Sequence, residues 1–174
     1  MAVRQNHKHK TTLVAYMLVT FGFTWGSWSA LVAGSISSGG HYGTNWLFVL
    51  GTFGPLLGGA AAIWVGGGRA LIFPWVKRIG RIDRRSAYAA ALAACGVLAM
   101  WAGQLIAVRA DPDPAAKSLP MSWATVFALA GWMAMAAGEE AGWRGWLGPF
   151  LMRRLGAVGS SLATGAVWTL WHVP

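Results

Sequence analysis

The chain is written as long apolar runs separated by short basic clusters. Charge-free runs occupy 13–33, 46–65 and 87–108. A fourth begins near Trp123, and a fifth begins near Gly156 and is still apolar at Pro174. Runs of about 20 apolar residues match a hydrocarbon core of about 30 Å when helical, so the pattern predicts five transmembrane helices. The first run lies behind Arg4, Lys8 and Lys10 and exceeds the apolar core of a secretory leader, which predicts a retained helix rather than a signal peptide. Trp46 and Trp64 bracket the second run as interfacial anchors, and Pro55 lies near its middle.

The basic clusters orient these segments. The 66–86 stretch carries Arg69, Lys77, Arg78, Arg81, Arg84 and Arg85, whereas 34–45 carries no basic residue. The 109–122 stretch balances Arg109 and Lys117 against Asp111 and Asp113, and Arg153 and Arg154 precede the fifth run. Basic and neutral connections alternate, which places the N-terminus, 66–86 and Arg153/Arg154 in the cytoplasm. The expectation is an all-α, polytopic helix bundle in the cytoplasmic membrane. Residues 1–174 then form one transmembrane domain, with a basic tail at 1–12, a basic cytoplasmic loop at 66–86 and a hairpin at 123–174.

Composition agrees. Hydrophobic residues make up 56% of the chain and charged ones 11%, with a mean hydropathy of +0.49; soluble domains carry about 25% charged residues. The net charge of +9 flanks apolar runs instead of forming one face, so it points to anionic lipid and not to nucleic acid. Cys95 is the single cysteine, which excludes an intramolecular disulfide, and its apolar setting predicts a core position. Small-xxx-small spacing recurs at Gly22/Gly26, Gly54/Gly58 and Gly138/Gly142; with 24 glycines in the chain, the first two pairs read as ordinary packing. His7 and His9 read as part of a solvated cationic tail.

The chain's only glutamates, Glu139 and Glu140, are adjacent and lie in the fourth run, in Ala-Gly-Glu-Glu-Ala-Gly-Trp-Arg-Gly-Trp. A carboxylate at bilayer depth costs roughly 2.5–3.5 kcal/mol on insertion scales, so an intramembrane pair is read first as a functional site. Glu140 and Arg144 stand at i and i+4 in the orientation that favours an ion pair. Glu139 is rotated from Glu140 by about 100° and is left to face a cavity, where a free carboxylate suits a general base. His172 follows in Trp168-Thr-Leu-Trp-His172. A hairpin turning near Leu155 puts Glu139 16 residues before the turn and His172 17 after it, at one depth. The long fourth helix then either carries the tip into the cytosol or bends at Gly148-Pro149.

Glu139-Glu140-x-x-x-Arg144 followed by Trp168-x-x-x-His172 resembles the first two motifs, EExxxR and FxxxH, of the CAAX-protease and bacteriocin-processing family of intramembrane endopeptidases. Phe53-Gly54-Pro55-Leu56-Leu57 is similar in general character, and Trp168 replaces the usual Phe. The resemblance implies peptide-bond hydrolysis in the membrane. Glu139 would activate water, His172 would position or polarise it, Glu140 and Arg144 would form a supporting pair, and Trp168 would line the pocket. It implies peptide or prenylated-protein substrates and membrane lipid as partners, with no nucleic acid. The family is labelled a metalloprotease, and a metal-free glutamate mechanism is also proposed for it. Glu139 and His172 are the candidate ligands for a divalent metal such as zinc. Two ligands do not fill a catalytic zinc site, which takes three protein ligands, so the residues favour no metal. The family's third motif is expected beyond Pro174, which reads as C-terminal truncation and an inactive short form. Two readings from other classes stand beside this one: a non-catalytic immunity or scaffold protein, and a proton-coupled transporter fragment using Glu139, Glu140 and His172 as a relay.

Overall fold

A computed structural model of the protein describes residues 2–38, 46–81 and 123–173, with scattered positions between 91 and 109. The described residues are helical, with no strand among them. Contacts divide the chain into two compact units, Met1–Ile79 with Gly131–Pro174, and Gly80–Ala130. Of the connection expected at 34–45, residues 34–38 are instead the last turn of a helix, and 39–45, like most of the third span, 87–108, lie outside the described residues. The described positions of that span are helical. Cys95, expected in a core, is exposed. Absence of charge around it reported an apolar setting, not contact with protein.

Helix α1 (Ala2–Ser38) runs 37 residues without a proline, so nothing stops it before Thr12 and the basic tail is its first turns. Its buried face repeats every fourth residue: Thr12, Tyr16, Thr20, Thr24 and Trp28. Its outward face is apolar, with Val14 54% and Leu18 68% exposed. Hydroxyls inward and aliphatics outward invert the order of a water-soluble helix.

The second apolar run is two helices, α2 (Trp46–Thr52) and α3 (Gly54–Gly67), bent by 40° at Phe53. Pro55 lies in the first turn of α3 and has no N–H, so the Gly51 carbonyl loses its i+4 donor. Thr24 Oγ1–H on α1 donates to that carbonyl at 2.7 Å. Gly54 and Gly58, set aside above as ordinary packing, form the seam with α1. A Cβ on either would collide with Thr24 or Thr20, while one on Gly22 or Gly26 would meet nothing. The α2–α3 pair passes a hydropathy test for a membrane span, and no single described helix does. The hydroxyl stripe lowers the average of α1 although its outer face is apolar.

A turn at Arg69–Leu71 leads into α4 (Ile72–Ile79), and α5 (Trp123–Gly142) continues through a π-turn at Trp143–Leu147 into α6 (Gly148–Trp171). The expected bend at Gly148-Pro149 is absorbed by this π-turn. Pro149 deprives the Gly145 carbonyl of its helical donor, and Trp75 Nε1–H supplies one at 3.1 Å. Two proline-orphaned carbonyls are thus answered from distant helices. The reversal comes inside α6 at Gly156, where φ is 68° and ψ −175°, a conformation that glycine adopts freely. Ser160 Oγ–H returns to the Gly148 carbonyl at 3.0 Å, so the two arms run antiparallel.

An aromatic core joins the hairpin to α1. Tyr16 stacks on Trp146 with centroids 4.7 Å apart, and Trp171 packs against Trp28 at 4.8 Å and Trp143 at 5.7 Å. Trp171 is fully buried and donates to Thr24 Oγ1 at 2.8 Å, while its carbonyl accepts from Trp25 Nε1–H at 3.1 Å. Two hydrogen bonds therefore fix the end of α6 to α1, and Thr24 passes the connection on to α2 through the Gly51 carbonyl.

Candidate functional site

Glu139 lies near the end of α5, half-buried, and Glu140 follows on the exposed side. Glu140 pairs with Arg144, the i, i+4 pair expected, and both side chains remain accessible to their surroundings. Arg144 sits in the π-turn, a local irregularity common at functional sites. Gly142 makes the close approach of this segment to α3. A Cβ there would collide with the Pro55 backbone.

The return arm brings Trp168 to Glu139, and the two side chains are hydrogen-bonded. His172 interacts electrostatically with the same carboxylate. Glu139 with Trp168, and Gly148 with Ser160, are both pairs centred near position 154, so one helical register sets the meeting. The His172 ring rests edge-on against Trp168 and Trp171, with centroids 4.3 and 4.6 Å away. Its Nδ1 lies 2.8 Å from the Trp168 carbonyl. A carbonyl only accepts, so Nδ1 carries a proton and Nε2 is turned away from this contact.

Between the arms lies a cavity of about 820 Å³, lined by Glu139, Glu140, Trp143, Arg144 and Trp168 together with small and hydroxyl residues of the return arm. His172 lies outside this lining. Glu139 therefore reaches the cavity itself, while His172 addresses it through Glu139 and Trp168. Among the described residues no group of three His, Cys, Asp or Glu side chains could hold a metal.

Residues not singled out from the sequence hold this arrangement. Thr24, Trp28 and Trp171 lock the arm carrying Trp168 and His172. A signal existed in the every-fourth-residue spacing of Thr12, Tyr16, Thr20 and Thr24, which marks one face of α1.

The site is thus a carboxylate and an imidazole presented by facing arms of a helical hairpin, with an arginine-clamped second carboxylate beside them. The sequence model of the Rce1-like type II CAAX prenyl endopeptidases matches residues 121–174. That stretch contains the whole hairpin, and over it the chain is similar to those endopeptidases. No curated protein and no solved structure matches the chain.

Proposed function

We propose that this protein is an intramembrane endopeptidase acting on peptide or prenylated-protein tails, with Glu139 as general base. The observation that carries this reading is the meeting of Glu139, Trp168 and His172 across a hairpin that falls inside the matched family segment. Glu139 takes a proton from a water in the cavity, and the hydroxide oxygen bonds to the scissile carbonyl carbon. Collapse breaks the C–N bond, and the proton held by Glu139 passes to the departing amine. The Trp168 indole N–H orients the carboxylate. His172, with its Nδ1–H engaged by the Trp168 carbonyl, keeps Nε2 free to position water or the carbonyl. The Glu140–Arg144 pair steadies the turn that carries Glu139.

The setting is a multi-pass helix bundle in the cytoplasmic membrane. Support comes from the inverted faces of α1 and from the outward apolar residues Phe127, Met133, Val158 and Leu162. In water, contiguous apolar surface of this kind is unfavourable; in lipid it is the solvated surface.

The test compares variants of a version that also carries the family's third motif, at matched protein levels, in a peptide-cleavage assay. Removing a general base costs typically 10²–10⁴-fold in rate. Glu139→Gln should lose at least the lower figure while its abundance is unchanged. Glu140→Gln should retain part of the activity and chiefly lower stability. Complete loss from both at normal abundance would reject this division of roles.

A further inference from the structure

A second cavity of about 630 Å³ lies away from the glutamates, where the start of α1, the end of α3 and the first part of α6 converge. Its lining combines the basic side chains His9, Arg153 and Arg154 with the apolar Ile63, Leu71 and Trp146. No acidic side chain lines it among the described residues. The Arg154 guanidinium lies 3.9 Å over the Phe150 ring and donates one N–H to the Phe150 carbonyl at 2.8 Å, which holds it against the cavity wall. A guanidinium has five N–H donors, so most of them remain for an acceptor in the cavity. The His9 ring stands edge-on to the same Phe150, with centroids 6.4 Å apart.

Basic donors and aliphatic and aromatic surface in one cavity fit an amphiphile with an anionic oxygen-rich head. Phosphate suits paired guanidinium forks. Just beyond Leu71, α4 leaves Phe73 and Val76 exposed and carries Lys77 and Arg78 in its last turn, while Trp75 on its other side is buried. Apolar and basic residues so arranged are those of a helix lying at a lipid headgroup boundary.

We propose that this cavity binds the phosphate headgroup of an anionic phospholipid, whose acyl chains leave along Ile63, Leu71 and the exposed face of α4. Two basic segments that the sequence places on the cytoplasmic side, the N-terminal turns through His9 and Arg153/Arg154, meet around this one headgroup, and the stretch after Gly66 adds Gly67 and Leu71 to the lining. The site is independent of the reaction proposed above.

Native mass spectrometry of the purified protein, released from neutral detergent with equimolar phosphatidylglycerol and phosphatidylcholine, tests it. The protein should retain phosphatidylglycerol in preference. A membrane-proximal basic residue contributes about a fivefold factor towards anionic lipid, so Arg153→Gln with Arg154→Gln should cut retention roughly thirtyfold. His9→Gln alone should cause a smaller loss, and Arg81→Gln should cause none. Inorganic phosphate and glycerol 3-phosphate at millimolar concentration should fail to displace the lipid, since both lack acyl chains. Equal retention of the two lipids, unchanged retention by both the double variant and His9→Gln, or displacement by inorganic phosphate would overturn the proposal. Displacement by a farnesylated peptide carboxylate would also overturn it, by making the cavity a substrate site.

Discussion

Replacing Thr24 by valine isolates what the buried hydrogen-bond chain contributes. The two side chains have nearly the same shape, so no cavity opens. Two groups nevertheless lose partners: the Trp171 indole N–H, now 2.8 Å from Thr24 Oγ1, and the Gly51 carbonyl, 2.7 Å away. Neither has an easy substitute. Trp171 is fully buried, and Pro55 has already removed the helical donor of Gly51. An unsatisfied buried polar group costs about 1–3 kcal/mol, although interhelical hydrogen bonds in membrane bundles average nearer 0.6 kcal/mol in double-mutant cycles. We therefore expect Thr24→Val to cost about 2 kcal/mol, and Thr24→Ser to recover most of it. Equilibrium unfolding in mixed micelles measures this, with Trp171→Phe and the double variant closing a cycle. The coupling between the two positions should be about 1 kcal/mol. A Thr24→Val cost below about 0.5 kcal/mol, or strict additivity with Trp171→Phe, would refute the reasoning.

Two further outcomes follow from packing and charge. Gly142→Ala pushes a methyl into the Pro55 backbone and should destabilise by about 1–3 kcal/mol, whereas Gly22→Ala meets nothing and should be neutral or slightly stabilising; equal thermal shifts would contradict the α3–α5 contact. In a Cys95→Ala background, cysteines introduced at Arg81 and at His41 should label oppositely with an impermeant thiol reagent, and labelling at position 81 in intact cells would reverse the proposed orientation.

Much of the hairpin was legible because helices are rigid rulers. Rise per residue set Glu139 against the end of the return arm, where its side-chain partner is Trp168, one helical turn before His172, and Gly156 reverses the chain one residue after the expected turn at Leu155. The Glu140–Arg144 pair followed from i, i+4 geometry. The sharp break at Phe53 and the π-turn before Pro149 were not legible. Each depends on a partner distant in sequence, Thr24 in one case and Trp75 in the other, which answers a carbonyl that proline leaves open. The partner of the Gly54/Gly58 seam was not legible for a related reason: glycine spacing reveals a flat helix face, and only the hydroxyl stripe opposite reveals that α1 fills it. Trp168 was expected as pocket wall alone. Its hydrogen bond to Glu139 and its carbonyl contact with His172 make it the link between the two candidate catalytic groups.

The central claim is that Glu139 activates a water to cut a peptide bond. It is tested most directly by incubating a reconstituted version that also carries the family's third motif with a farnesylated CAAX peptide in ¹⁸O-enriched water and weighing the products. The account predicts release of the residues beyond the prenylated cysteine, with one ¹⁸O in the new cysteine carboxylate, and neither product from Glu139→Gln at equal abundance. An intact peptide, or labelled product formed as fast by Glu139→Gln, would contradict it.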